Sequence, residues 1–156
     1  MNSRLDRFLD AQNAPHGGYT DALADIRGGR KRSHWIWYIF PQLAGLGRSP
    51  FAQAYAIDGR AEADAYLRHP VLRARLLEIT QAVDDQLQAG VPLVSLMGSE
   101  IDALKLVSSL TLFRRVAASA TGDADVASAT SAVLARAEAQ GYPPCAFTLA
   151  ALGGSR

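Results

Sequence analysis

Hydrophobic positions recur along most of this chain at intervals of three and four, the spacing of one face of an α-helix. The clearest run is Leu72, Leu76, Ile79, Val83 and Leu87, which opens at His69-Pro70 and ends at Gly90. Its charged residues, Arg73, Arg75, Glu78, Asp84 and Asp85, fall mostly elsewhere on the wheel. Near the amino terminus Leu5, Phe8, Leu9 and Gln12 predict a short amphipathic helix with Phe8 on its buried face, broken by Asn13 to Gly18. A second helix is predicted from Tyr19 to Arg27, with Leu23 and Ile26 inward, and Gly28-Gly29 stop it.

The next segments are shorter. Ser33 can cap an element that Pro41 must close, because proline disfavours helical geometry in the residue before it. For His34 to Phe40 periodicity cannot separate helix from strand, and the aromatic content leans towards strand. A short helix is the expectation, since the neighbours are helical and a lone strand would have no partner. Ser49-Pro50 joins a cap to a proline at the first helical position and opens a helix through Phe51, Ala54 and Tyr55. Asp58 can cap another, Arg60 to Leu67. Val91 to Met97 is a connector or a single turn.

Ser99-Glu100-Ile101-Asp102 resembles a capping box with aspartate in the glutamate position. The helix after it is expected to face inward through Ile101, Leu104, Val107 (or Ser108) and Leu112. Ala120 to Asp123 is a polar loop, Asp125 to Gln140 an alanine-rich helix closed by Gly141, and Phe147 to Leu152 docks on the core. Gly153 to Arg156 is expected to fray. No stretch alternates with period two for long enough to predict a sheet. The expectation is an all-α, single compact multi-helix domain over residues 1–156, ordered over about 3–152.

Composition narrows the class. A chain of 156 residues with 49% hydrophobic and 20% charged residues can bury a core without covalent staples. A net charge of +1 sets up no global attraction to nucleic acid or acidic lipid, which argues against a nucleic-acid partner. Cys145 is the single cysteine, so no internal disulfide forms, and its solitude fits a reducing compartment. Arg4, Asp6, Arg7 and Asp10 interrupt any signal peptide, and no apolar run approaches the roughly 20 residues that cross a bilayer. A cytoplasmic protein without a membrane partner is expected.

Candidate chemistry concentrates between Arg27 and Pro50. Arg27, Arg30, Lys31 and Arg32 surround two glycines and can form an anion site from cationic side chains and free amides; the bland reading is a solvated loop paired with Asp6, Asp21 or Asp25. Trp35 and Trp37 cannot share a helix face, so one can be core while the other stacks on a flat ligand. His34 can relay a proton near neutral pH or simply cap a helix start. Gly45-Leu46-Gly47-Arg48-Ser49 lacks the lysine and preceding strand of a P-loop. Asp102, Lys105, Ser108 and Ser109 make a second polar constellation, which a solvated helix face would also explain. Three histidines and one cysteine, none at ligand spacing, argue against a metal, and no cofactor is implied.

Segments Gly29 to Ser49, Tyr55 to Ile57, Glu62 to Leu76 and Asp102 to Phe113 together resemble the bacterial family known as domain of unknown function 1810. The KRSHW, WYIFPQ and GLGRS blocks are the specific part, and the likeness runs from LDRFLDAQ to the terminal TLAAL. It implies a mainly α-helical domain and brings no reaction with it. The chain departs from the pattern at Ile36 and Leu110, where methionine is expected, and around Pro143-Pro144 and Phe147.

The leading functional expectation is a pocket for an anionic, aromatic small molecule of nucleotide or nucleotide-sugar type. Arg30, Lys31, Arg32 and Arg48 would hold charge, Trp35 or Trp37 would stack, and Gln42, Ser33 and Ser49 would hydrogen-bond. Lys105 and Ser108 would close the far wall, and His34 would serve any hydrolase or glycosidase chemistry. The alternative is a non-catalytic helical module whose basic turn contacts a protein or nucleic-acid partner.

Overall fold

A computed structural model describes residues 3–153. Among these are a 3-10 turn at Ser3–Leu5 and ten α-helices. They are α1 Asp6–Gln12, α2 Tyr19–Arg27, α3 Ile36–Ile39, α4 Pro50–Ala54, α5 Gly59–Arg68, α6 Pro70–Gln88, α7 Leu93–Met97, α8 Glu100–Val116, α9 Ala124–Ala139 and α10 Ala146–Ala151. The described residues contain no strand; Leu43 and Ile57 meet in one isolated parallel bridge. The fold class is all-α, as the periodicity requires. Of the fraying expected at Gly153 to Arg156, all but the first residue lies outside the described residues.

The two long helices carry the core. On α6, Leu72, Leu76, Ile79, Val83 and Leu87 are all buried, and His69 starts the helix by accepting the amides of Val71 and Leu72 on Nδ1. This helix packs on α2, α5 and α9. Helix α8 lies against α9, α7, α5, α10 and α3, and every residue from Leu106 to Phe113 is buried. Each fully buried leucine or phenylalanine there stabilises the fold by about 1.5–3 kcal/mol. A continuous core cluster runs from Leu5 to Leu152.

Several local expectations are corrected. Ile101 and Leu104 are 67% and 48% exposed; Val107, Ser108 and Leu112 are buried as expected, and Ala103, Leu106 and Leu110 join them on the inward side of α8. A helix buried nearly all round has no polar stripe to set the phase, and only its first turn projects from the bundle. Ser33 caps nothing: α3 starts after Trp35 without a side-chain cap, and is one turn long. Asp58 makes no side-chain cap either; its amide donates to Glu62 Oε1 at 2.7 Å. The expected loop at Ala120 to Asp123 is partly helical, because α8 runs on into a π-turn at Ala117–Thr121 that Gly122 ends at φ +69°. Asp123 then caps α9 through the amide of Val126.

Candidate functional site around Trp37 and Lys105

The site begins with the way the chain leaves α2. Gly29 takes φ +89°, a conformation that costs other residues about 1–2 kcal/mol, and the chain turns back over its own helix. Asp25 then gathers three donors on Oδ2: the amides of Arg32 and Ser33, at 2.9 and 3.1 Å, and the Trp35 indole N–H, at 2.9 Å. The Lys31 amide donates to the Leu96 carbonyl at 2.7 Å, tying the turn to α7. These bonds fix Trp35 with no exposed surface and direct Lys31 inward.

Lys31 Nζ reaches Asp102 Oδ2 at 2.9 Å and lies 5.1 Å from the Trp35 ring centre. Asp102 is the third residue of α8, and its amide donates to the Ser99 cap at 3.1 Å. Where a capping box would turn its carboxylate back to the cap, this one serves lysines. Lys105 Nζ stands 4.0 Å from the other carboxylate oxygen and 5.2 Å from the centre of the Trp37 ring. The cationic turn and the polar start of α8 therefore meet, with Asp102 shared between two lysines.

Trp37 differs from Trp35. It is half-buried, its ring packs against Phe51 at 4.9 Å, and its Nε1 is shielded from solvent with no acceptor among the described residues. A buried donor without a partner costs about 1–3 kcal/mol. Phe51 is 55% exposed, a large apolar ring left at the surface. Beyond it the glycine loop lies on α10: at Gly45, with φ +105°, a β-carbon would stand 2.9 Å from Phe147 Cζ. At Gly47 a β-carbon would come within 2.4 Å of that of Ala52. Packing against its neighbours explains this loop.

The sequence-derived residues separate into groups. Lys31, Trp35, Trp37 and Lys105 converge on Asp102. Arg30, Arg32, His34 and Arg48 are exposed, and among the described residues their side chains make no hydrogen bond or ion pair. Arg30 lines a separate cleft of about 320 Å³ with Gly29, Val94, Ser95 and Gly98. The Ser49 hydroxyl accepts the Ala52 amide at 3.1 Å and caps α4. Gln42 is half-buried and gives its carbonyl to the Ile57 amide. Ser33 is occupied through its amide. The described residues hold no group of three or more histidine, cysteine or carboxylate side chains that could hold a metal.

Ser108 lies one turn beyond Lys105, with its hydroxyl near the Cys145 thiol at the start of α10. Burial pushes the Cys145 thiol up, but the Ser108 and Thr148 hydroxyls and the amides of Thr148 and Phe147 outweigh it and hold the thiol below its ordinary value. Sequence reasoning named Asp25 only as a charge partner for a solvated loop, and left Phe51 and Phe147 out of the site. The three donors on Asp25 come from residues seven to ten positions away, which no helical spacing reveals.

No helix among the described residues is long and apolar enough to cross a membrane. No match was found among the curated proteins. Among solved structures, the crystal structure of the conserved hypothetical protein Rv1873 from Mycobacterium tuberculosis is similar, with 39% identity and a TM-score of 0.77. The alignment covers 97% of each chain. A family model described as "Protein of unknown function (DUF1810)" matches residues 2–136, which include every sequence-derived site residue and exclude Cys145 and Phe147. The chain belongs to that family.

Proposed function

We propose that the protein binds an anionic small molecule carrying a flat ring, of nucleotide or nucleotide-sugar type, at the corner formed by Trp37, Phe51 and Lys105. The observation that carries this reading is the condition of Trp37. Its indole N–H has no acceptor among the described residues, a lysine ammonium lies over its ring, and an exposed phenylalanine packs beside it. The ammonium and the indole N–H would hold the anion, while Phe51 would move to stack on the ring. Lys31 would hold Asp102 so that Lys105 stays over the indole. Arg48, exposed at the start of α4, would add a second cation at the rim. Trp35 has no surface to offer, and its role is to anchor the turn. The reading stops at binding, because nothing orients the His34 ring towards this corner.

Thermal unfolding with AMP, ADP, UDP-glucose and ribose 5-phosphate tests it. A ligand present at about a hundred times its dissociation constant stabilises by about 2.7 kcal/mol, or roughly 5–10 °C at this chain length. Lys105→Met should remove most of that shift. If none of the four moves the midpoint, the pocket reading fails. Binding of bulk RNA that weakens steeply with salt would favour the exposed arginines as a contact patch instead.

A further inference from the structure

A second cleft lies at the other end of α8, about 13 Å along the helix from Lys105. Its lining is Arg114 of α8, one face of α9 (Ser131, Leu134, Ala135, Glu138) and Pro144 of the following turn, around a volume of about 190 Å³. That is below the roughly 300 Å³ at which sites for drug-sized ligands begin, so only a small molecule fits.

Two charges in this cleft, the half-buried Arg114 and the exposed Glu138, lack partners among the described residues. Arg114 Nε is shielded from solvent and meets no acceptor, and among the described residues the Arg114 guanidinium makes no hydrogen bond or ion pair. Glu138 lines the same cleft, and its carboxylate is likewise unpaired among the described residues. Glu138 lies in the last turn of α9, the end where the helix dipole disfavours an anion. Both line this one small space, and no hydrogen bond or ion pair joins them. The cleft is also lined by apolar Leu134, Ala135 and Pro144. A guanidinium takes a carboxylate through paired donors, and a carboxylate takes an ammonium.

We infer that this cleft binds a small α-amino acid: its carboxylate on Arg114, its ammonium on Glu138 and a short apolar side chain on Leu134 and Pro144. The pairing neutralises both charges at once. A phosphate or a plain carboxylate would meet only one of them. The site is independent of the corner at Trp37, so either assignment can fail without the other.

Titration of the isotopically labelled protein with L-valine, isovalerate, isobutylamine and inorganic phosphate, followed by amide NMR shifts, tests the assignment. Valine is expected to move the resonances of Arg114, Ser131, Leu134 and Glu138 saturably at millimolar concentration, about tenfold more tightly than isovalerate or isobutylamine. Glu138→Gln should bring valine down to the level of isovalerate, and Arg114→Gln should weaken it at least tenfold, in variants whose spectra remain native. Absence of valine shifts at these residues would overturn the inference. So would valine binding that both substitutions leave unchanged, or phosphate binding more tightly than valine.

Discussion

Lys31 and Asp102 form an ion pair of 2.9 Å between the turn after α2 and the first turn of α8, and the lysine side chain is 7% exposed. The two residues stand 71 positions apart in sequence. Lys31 Nζ also lies 5.1 Å from the Trp35 ring centre, so the contact joins the turn that carries the tryptophans to α8. Breaking a buried pair from one side costs about 3–5 kcal/mol, because it strands a charge.

The two halves of the pair should not be equivalent. Asp102→Asn leaves the Lys31 ammonium enclosed without a counter-charge and should destabilise by about 3 kcal/mol. Lys31→Met leaves Asp102, which is 18% exposed and retains Lys105, so its cost should be smaller. Urea unfolding of both variants checks the order. Equal losses would mean that Asp102 is not shared.

The tryptophans should separate spectroscopically. In Trp37→Phe the remaining indole is Trp35, with no exposed surface, and acrylamide should hardly quench it. The wild-type emission, which adds half-buried Trp37, should be quenched more strongly.

Stability should fall in acid through Glu62. Burial raises its pKa, but Arg7, the Asp58 amide and Arg4 together hold it below the ordinary glutamate value. A group with a depressed folded pKa stabilises the protein above its unfolded pKa, and that contribution is lost as pH falls through the folded value. The effect should therefore be complete at pH 7 and fade below about pH 4. Glu62→Gln should lower the melting point at pH 7 and converge with the wild type near pH 2. A gap of constant size across that range would contradict the assignment.

The corrected phase of α8 has its own test. Leu104→Ser, at an exposed position, should change stability by no more than about 0.5 kcal/mol, while Leu106→Ala should cost about 2–5 kcal/mol.

The sequence showed some of this and hid the rest, for physical reasons. Helix α6 was legible because one buried stripe faces one exposed side, and proline and glycine mark its ends. Helix α8 misled because its middle is enclosed, so Ile101 and Leu104 looked like the start of a stripe that lies elsewhere. The aromatic run His34 to Phe40 does hold the short helix expected of it, yet only Ile36–Ile39 form it. At the site, residue types pointed to the right two segments. They did not say which cations turn inward. Lys31 is drawn in by Asp102, a contact set by the tertiary fold, whereas Arg30, Arg32 and Arg48 remain at the surface.

The central claim concerns Trp37, and fluorescence reads it directly. AMP titrated into the wild-type protein should quench the emission saturably. The effect should vanish in Trp37→Phe and require at least tenfold more AMP in Lys105→Met. Quenching that persists undiminished in Trp37→Phe, or no response from the wild type, would show that this indole binds no such ligand.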